Sequence, residues 1–223
     1  MSPLEAAGLH RFYRRGGTEV AALLDVGLTC APGETVAVIG PSGSGKSTLL
    51  ALLAGLDEPD GGKVLVGGEQ LSHRSARDGA RLRARRIGVL TQASGLLSHL
   101  TVLQNVRLAA TLRRQAGGGG GPGAHELLDR LGMGAVTGSR PGTLSGGETA
   151  RAGLAVALVG NPDVLLADEP TAEISTAEER EVLALLQEWR PGEGATVLVT
   201  HSDAVAARAD RVLRLRDGRL VAA

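Results

Sequence analysis

The sequence has little cysteine and no excess of either charge. Cys30 is the only cysteine among 223 residues, so no disulfide can form within the chain and a reducing cytosol is the expected compartment. The 24 basic residues are balanced by 24 acidic residues. A protein that binds nucleic acid usually needs a strongly basic surface, so this balance predicts no nucleic-acid partner.

Long apolar runs are also missing. No stretch approaches the roughly 20 apolar residues that an α-helix needs to cross a bilayer. Residues 1–8 lack the charged start and the long apolar stretch of a signal peptide. We therefore expect any connection to a membrane to be made through a partner.

Lysine is rare as well, and arginine carries most of the positive charge. The only lysines are Lys46 and Lys63. Four arginines lie close together, at Arg81, Arg83, Arg85 and Arg86. The favoured interpretation of this cluster is a solvated helix face, and the alternative is a local basic patch.

The hydrophobic pattern predicts an α/β protein. Apolar or β-branched runs predict strands at residues 20–29, 35–39, 63–66, 87–91, 164–167 and 196–200. Helices are predicted at residues 48–55 and 176–189, and a hairpin at 211–222 around Asp217 and Gly218. Between residues 94 and 158 the periodicity is helical, apart from a glycine-rich loop at 116–123.

A glycine-rich loop connects the predicted strand 35–39 to the helix that follows it. It matches the phosphate-loop pattern G-x-x-x-x-G-K-[ST] with Gly40, Pro41, Ser42, Gly43, Ser44, Gly45, Lys46 and Ser47, and Thr48 continues it into the helix. Glycines let backbone N–H groups surround phosphate oxygens, and the helix directs its positive end at them. Lys46 would neutralise the β- and γ-phosphates, and the Ser47 hydroxyl would be a Mg²⁺ ligand.

Two carboxylates end the apolar run 164–167. Asp168 would hold Mg²⁺ through its hydration shell, and Glu169 would orient or deprotonate the attacking water. A strand followed by two acids is common by itself. Together with Lys46 it predicts a nucleotide-hydrolysing site.

A third motif lies at residues 144–148. The segment Leu144, Ser145, Gly146, Gly147 and Glu148 resembles the signature motif of ABC ATPases, which marks this family almost alone among P-loop proteins. Ser145 also has a purely structural interpretation, because its hydroxyl can cap the helix that follows. Gln92 after strand 87–91, His201 after strand 196–200 and Tyr13 near the N-terminus resemble further elements of the family.

The resemblance covers residues 9–220 and implies a complete architecture. It is a single ABC ATP-binding domain over 1–223, with a P-loop NTPase core of mixed sheet, an N-terminal antiparallel β portion and an inserted α-helical subdomain. The core would take about 1–92 and 160–223, and the helical subdomain about 93–159. The implied function is an ATP-hydrolysing motor that uses ATP and Mg²⁺. It would pair with a second ABC ATPase subunit, identical or not, and drive integral membrane permease subunits from the cytoplasmic face of the membrane.

Individual roles follow from the same resemblance. Tyr13 would stack on adenine, although Phe12 could replace it, because alternation along a strand lets only one of the two face the base. Gln92 would reach Mg²⁺ and the attacking water, and His201 would hydrogen-bond the γ-phosphate. Ser145, Gly146, Gly147 and Glu148 belong to the segment that would contact ATP bound to the opposite subunit.

The branch of the family is also indicated. Residues 96–106 look like the segment that receives a permease's coupling helix, and the chain looks most similar to the lipoprotein-release, macrolide-export and cell-division branch. One departure is Ser175, where the family usually keeps an aspartate that links the two sites. This departure favours, as an alternative, a cassette that clamps ATP, hydrolyses it weakly and regulates or scaffolds its partner. A non-transport ABC protein acting on ribosomes or DNA is a further alternative.

Overall fold

The computed structural model describes residues 1–92, 94–172, 174–188 and 194–221. In chain order its elements are β1 (Leu4–Arg15), β2 (Thr18–Cys30), β3 (Thr35–Ile39), α1 (Lys46–Leu53), β4 (Gly61–Val66), β5 (Glu69–Gln70), α2 (Ala76–Arg86), β6 (Ile87–Leu90), α3 (Val102–Gln115), α4 (Ala124–Arg130), α5 (Gly146–Leu158), β7 (Val164–Asp168), α6 (Thr176–Glu188), β8 (Ala195–Thr200), α7 (Asp203–Ala206), β9 (Arg211–Arg216) and β10 (Arg219–Val221). Short 3₁₀ turns lie at Gly134–Val136 and Pro141–Thr143. Trp189 and Ala222, the predicted ends of one helix and of the hairpin, lie outside the described residues.

The N-terminal strands form a four-stranded antiparallel sheet in the order β2-β1-β4-β5. The sequence did not predict β1 as an element. Its pairing with β2 shifts register three times between Ala6 and Phe12, and Gly8 has a positive φ of 60°. These irregularities interrupt the alternation of apolar and polar residues by which a strand is recognised.

The central sheet has six strands in the order β10-β9-β3-β8-β7-β6. Five of them run parallel, and β10 pairs antiparallel with β9 in the predicted C-terminal hairpin. Strand β7 shows why the sheet is apolar on both faces. Val164 and Leu166 face one hydrophobic core, which includes α1 and the N-terminal sheet, while Leu165 and Ala167 face a second core formed with α3, α4, α5 and α6. The mixed-sheet α/β fold predicted from the sequence is confirmed.

The arginine cluster lies on α2, but it is not a solvated face. Arg81 is exposed, whereas the other three are partly buried. Arg83 donates to the Gly55 carbonyl at 2.7 Å, and Arg86 forms ion pairs with both Glu69 and Asp163. These contacts, rather than a hydrophobic stripe, hold α2 in place. The cluster lies on a helix, as expected, but its arginines are engaged with carbonyl and carboxylate groups and form neither a freely solvated face nor an unpaired basic patch.

Helices α3, α4 and α5 lie between β6 and β7 and pack on one another. Arg113, near the end of α3, is 6% exposed and donates to the carbonyls of Ile87 (3.1 Å), Arg85 (3.4 Å) and Ala157 (3.5 Å). Burial lowers the pKa of Arg113 to about 10. The division into a core and a helical subdomain at residues 93 and 159 stays a prediction.

Within the described part of the chain, every helix is too short or too polar to cross a membrane.

Candidate functional site

The predicted site residues follow four neighbouring strands at one edge of the central sheet. The phosphate loop follows β3, His201 follows β8, Asp168 ends β7 and Gln92 lies just beyond β6. Because these strands are parallel and adjacent in the order β3-β8-β7-β6, their carboxyl ends meet at the same edge. Ligands of open α/β sheets bind at this edge.

A cavity of about 450 Å³ opens there. Eleven of the eighteen predicted site residues line it. Its walls are formed by Tyr13, Val20, Ala21, Ala22, Ser42, Gly43, Gly45, Lys46, Ser47, Thr48, Gln92, Asp168, Glu169 and His201. Gly40 and Pro41 instead border a neighbouring cavity, which His201 also lines.

Backbone conformation explains the glycines of the phosphate loop. Gly43 and Gly45 have positive φ angles of 76° and 104°, a region that side chains disfavour. A Cβ atom on Gly45 would also lie 2.4 Å from the carbonyl oxygen of Ala22. Gly45 is the N-cap of α1 and offers no side chain to the first-turn N–H groups, so these groups remain available to an anion. Helix α1 begins at Lys46, two residues before the predicted start, because the loop conformation and not the apolar run sets its N-terminus.

Lys46 and Ser44 of the phosphate loop differ in whether their side chains face the cavity. Lys46 Nζ donates to the carbonyl oxygens of Gly40 (2.8 Å) and Pro41 (2.9 Å), which holds the ammonium group over the loop. Ser44 is 4% exposed and does not line the cavity. Its hydroxyl makes no hydrogen bond within the described residues, and its backbone N–H donates to the Pro41 carbonyl at 3.2 Å.

Asp168 and Ser47 form the part of the site that suits a divalent cation. Both side chains line the cavity, and Ser47 lies near enough to the Asp168 carboxylate to act on its pKa. Burial and the neighbouring Glu169 raise the pKa of Asp168, while Ser47 and Lys46 oppose this change. A carboxylate and a hydroxyl oxygen are hard ligands of the kind Mg²⁺ prefers. Among the described residues no group of three or more His, Cys, Asp or Glu side chains gathers as a metal site, so the remaining ligands would be Gln92, water and phosphate.

The carboxylate of Glu169 is held from two sides. Thr200 Oγ1 donates to Oε2 at 3.0 Å, and His201 Nδ1 donates to Oε1 at 2.7 Å. The backbone of Glu169 has a positive φ of 47°, which is uncommon outside glycine and concentrates at functional sites. The Glu169 side chain is 17% exposed, whereas the His201 side chain is 75% exposed at the cavity wall.

Tyr13, and not Phe12, borders the cavity. The Tyr13 ring is 40% exposed, while Phe12 is partly buried and stacks on His10 with ring centroids 6.4 Å apart. The expected alternation along β1 therefore separates the two aromatic side chains.

The signature segment lies outside the walls of this cavity. Ser145 caps α5 in a capping box: its Oγ accepts from the Glu148 N–H at 3.2 Å, and Glu148 Oε2 accepts from the Ser145 N–H at 2.8 Å. The structural interpretation of Ser145 is therefore confirmed, and its functional role stays a prediction. Gly146 borders a second cavity of about 230 Å³, together with Gln92 and Glu169.

Several residues at the site were not predicted. Thr200 holds Glu169, and its position just before His201 was an available signal. Glu178 accepts hydrogen bonds from the Gly147 N–H (3.1 Å), the Ser175 N–H (3.0 Å) and Ser175 Oγ (2.8 Å). Ser175 and Glu178 have the S-x-x-E spacing of a capping box, which the sequence could have indicated.

The fold and the site together define a P-loop nucleotide-binding protein. The family model described as ABC transporter matches residues 23–172. The chain belongs to the ABC transporter ATP-binding family, and it is an ATP-binding, ATP-hydrolysing subunit.

Curated relatives agree with this family. The chain is 42% identical over 221 residues to the macrolide export ATP-binding/permease protein MacB of Rhodopseudomonas palustris, which is 99% of this chain and 34% of that protein. It therefore spans about one third of the length of these relatives. It is 41% identical over 218 residues to the uncharacterised ABC transporter ATP-binding protein YbbA of Escherichia coli K12, covering 97% of this chain and 96% of that one. The expected similarity to the macrolide-export branch is confirmed.

A solved structure has the same fold. The dimeric, post-hydrolysis ATP-binding cassette MJ0796, bound to ADP and Pi, superposes with a TM-score of 0.88 at 30% identity. The match covers 98% of this chain and 97% of that one.

Proposed function

We propose that the chain binds Mg²⁺-ATP in the 450 Å³ cavity, hydrolyses it at Glu169 and drives a separate membrane permease. One observation carries the proposal: Lys46, Asp168, Glu169, His201 and Gln92 line a single cavity at the carboxyl edge of the sheet. These are the positions at which the chain matches the family's motifs. No other arrangement on the described surface joins a phosphate loop to two carboxylates.

The phosphates would be bound by the loop and α1. Backbone N–H groups from Gly43 to Thr48 and the Lys46 ammonium group would surround the β- and γ-phosphates. Ser47 and Asp168 would hold Mg²⁺, which neutralises phosphate charge when bound. Gln92, which borders both this cavity and the one beside Gly146, would reach the same region from the helical side.

Glu169 would orient the attacking water and accept its proton. Its carboxylate is already fixed by Thr200 and His201, so little side-chain freedom is lost when the reaction begins. His201 uses Nδ1 for this contact, and its Nε2 makes no hydrogen bond with the described residues. The exposed ring can therefore turn Nε2 toward the γ-phosphate, where it can donate a hydrogen bond when both ring nitrogens carry a proton.

Each site would be completed by a second cassette. Ser145, Gly146 and Gly147 do not line the cavity of their own chain, so they would contact ATP only across a head-to-tail dimer. The dimeric state of MJ0796 supports this arrangement. The relatives named as ATP-binding/permease proteins support a membrane permease as partner, which would place the chain on the cytoplasmic side of a membrane.

The chain offers a matched pair for the test, because it has only two lysines. Lys46→Ala should abolish ATP hydrolysis and weaken ATP binding, since it removes the charge that neutralises the phosphates. Lys63→Ala, at an exposed position of strand β4, should leave both unchanged. Nucleotide titration and steady-state ATPase assays on both folded variants make the comparison. Normal turnover in Lys46→Ala would contradict the assignment of the phosphate loop.

A cassette that clamps ATP and hydrolyses it weakly is the second candidate. The observation that favours it is Glu178, whose carboxylate accepts a hydrogen bond from Gly147, one of the groups assigned to the opposite ATP. A motor should be stimulated by its permease, whereas a clamp should stay slow with and without it. Steady-state rates at saturating Mg²⁺-ATP in both conditions separate the two.

A further inference from the structure

Tyr13 is held in a fixed orientation by two neighbouring side chains. Its hydroxyl donates to Asp57 Oδ2 at 2.8 Å. The guanidinium carbon of Arg11 lies 4.7 Å from the centroid of the Tyr13 ring and covers one of its faces. Such a cation–π contact stabilises the position of a ring that is otherwise 40% exposed.

Arg11 is itself fixed. Its Nε and Nη2 donate to the two carboxylate oxygens of Asp57 at 2.9 and 2.8 Å, a bidentate pair with defined geometry. Nη1 lies 3.3 Å from both carboxylate oxygens of Asp60, and the Arg11 side chain is only 20% exposed. The guanidinium group therefore cannot leave the ring without breaking this network.

Asp57 connects the ring to the phosphate loop. It lies four residues beyond the end of α1, the helix that begins at Lys46, and its N–H donates to Ala51 of that helix at 3.4 Å. The spacing between the Tyr13 ring and the phosphate loop is therefore set through α1. Tyr13 and the phosphate-loop residues Lys46 and Ser47 line the same cavity.

We propose that Arg11 is a positioning residue for the base of the bound nucleotide. Because the guanidinium group covers one face of Tyr13, the opposite face is left for a purine, which would give a stack of guanidinium, phenol and base. Arg11 and Asp57 hold the ring in place before the nucleotide arrives, so binding does not have to order it. This inference rests on the proposed function, since it assumes that the cavity binds a nucleotide.

The test compares ligands with and without a base. Arg11→Met keeps the length of the side chain and removes its charge and its hydrogen bonds. Base stacking on an aromatic ring contributes at least about fivefold to affinity, so partial loss of ring order should weaken ATP and ADP binding by about three- to tenfold. Inorganic tripolyphosphate, which has no base, should bind equally to both proteins. The Michaelis constant for ATP should rise with turnover unchanged, as expected for an interaction made equally before and during the reaction.

Arg14→Met is the matched control, because Arg14 is exposed on the same strand and its side chain makes no ion pair or hydrogen bond with the described residues. It should bind all three ligands normally. Tyr13 is the only tyrosine, so its emission in a Trp189→Phe background reports the ring directly. ATP should quench this emission less at saturation in Arg11→Met than in the parent.

The outcomes are distinct. Unchanged ATP affinity in Arg11→Met would overturn the inference. Equal weakening of ATP and tripolyphosphate would overturn it as well, because that result means a distorted phosphate loop and not a mispositioned base. Failure of the unsubstituted chain to bind either ligand would refute the proposed function itself.

Discussion

Glu169→Gln removes one negative charge from the site and keeps the shape of the side chain. The amide oxygen of glutamine can still accept from Thr200, and the amide nitrogen can still contact His201, so the two anchors seen for Glu169 are retained in weaker form. A glutamine cannot accept a proton from water. We therefore expect ATP binding to survive and hydrolysis to stop.

The expected losses of turnover and of stability can both be estimated. General-base catalysis contributes about 10²- to 10⁴-fold, so turnover should fall by that factor. Hydrogen bonds to a charged acceptor contribute about 1.5–3 kcal/mol and neutral ones about 0.5–1.5 kcal/mol. Each of the two bonds should weaken by about 1 kcal/mol, so the variant should lose up to about 2 kcal/mol of unfolding free energy and about 4–8 °C in Tm.

Three measurements check the prediction: the steady-state ATPase rate, the ATP affinity, and the mass of the ATP-bound species by light scattering after size exclusion. The variant should accumulate as an ATP-bound dimer. Glu126→Gln, an exposed carboxylate on α4, is the control and should behave as the parent. If Glu169→Gln turns over within tenfold of the parent, the base lies elsewhere, and His201 becomes the next residue to substitute.

Three further outcomes are expected. Burial raises the pKa of Asp168 above its usual value of 3.8. The nucleotide-free chain should therefore lose stability as the pH rises from 3.8 through the raised pKa, because the folded state then has to bury a charged carboxylate. Asp168→Asn should remove this pH dependence in thermal melts and should melt at a higher temperature than the parent at neutral pH. Ser175→Asp alone should lower the ATPase rate and the Tm, because its carboxylate would face Glu178, and Glu178→Gln should relieve the repulsion in the double variant. Gly45→Ala should abolish ATP binding, because the new Cβ atom would clash with the backbone of Ala22. Gly43→Ala has open space around its Cβ atom, so it should cost only about 1–3 kcal/mol of stability for its positive φ, which calorimetry can measure.

The sequence predicted most of the central sheet but not the contacts that orient its side chains. Buried strands such as β3, β7 and β8 are recognisable because each is a continuous apolar or β-branched run. The bounds of helix α2 were not predicted, although the arginine cluster was interpreted as a helix face, because Leu82 is its only buried residue and ion pairs hold it. Periodicity carries no information about such partners, since they lie far away in the chain.

The candidate site was likewise predicted in part, because residues in local motifs were found and contacts between distant parts of the chain were not. Lys46, Asp168 and Glu169 stand in local motifs, and the structure brings them to one cavity. Glu178 illustrates what was missed, because its contact with Gly147 joins residues that are 31 positions apart. The expectation that Ser175 is simply a weakened aspartate also changes: its hydroxyl and N–H are both engaged with Glu178, so this turn is built around serine.

The buried Arg113 has a mechanical consequence. It binds the carbonyl of Ala157 near the end of α5 and that of Ile87 at the start of β6, which fixes this end of the helix against the sheet. Ser145, at the other end of α5, lies 12 residues away, or about 18 Å along the axis. A tilt of about 10° around Arg113 would move Ser145 by about 3 Å while hardly changing the packing at Ile87. Such a tilt would have to break the hydrogen bond between Gly147 and Glu178, and it would make α5 a lever whose fixed end is at Arg113 and whose moving end carries the segment that would meet the opposite nucleotide.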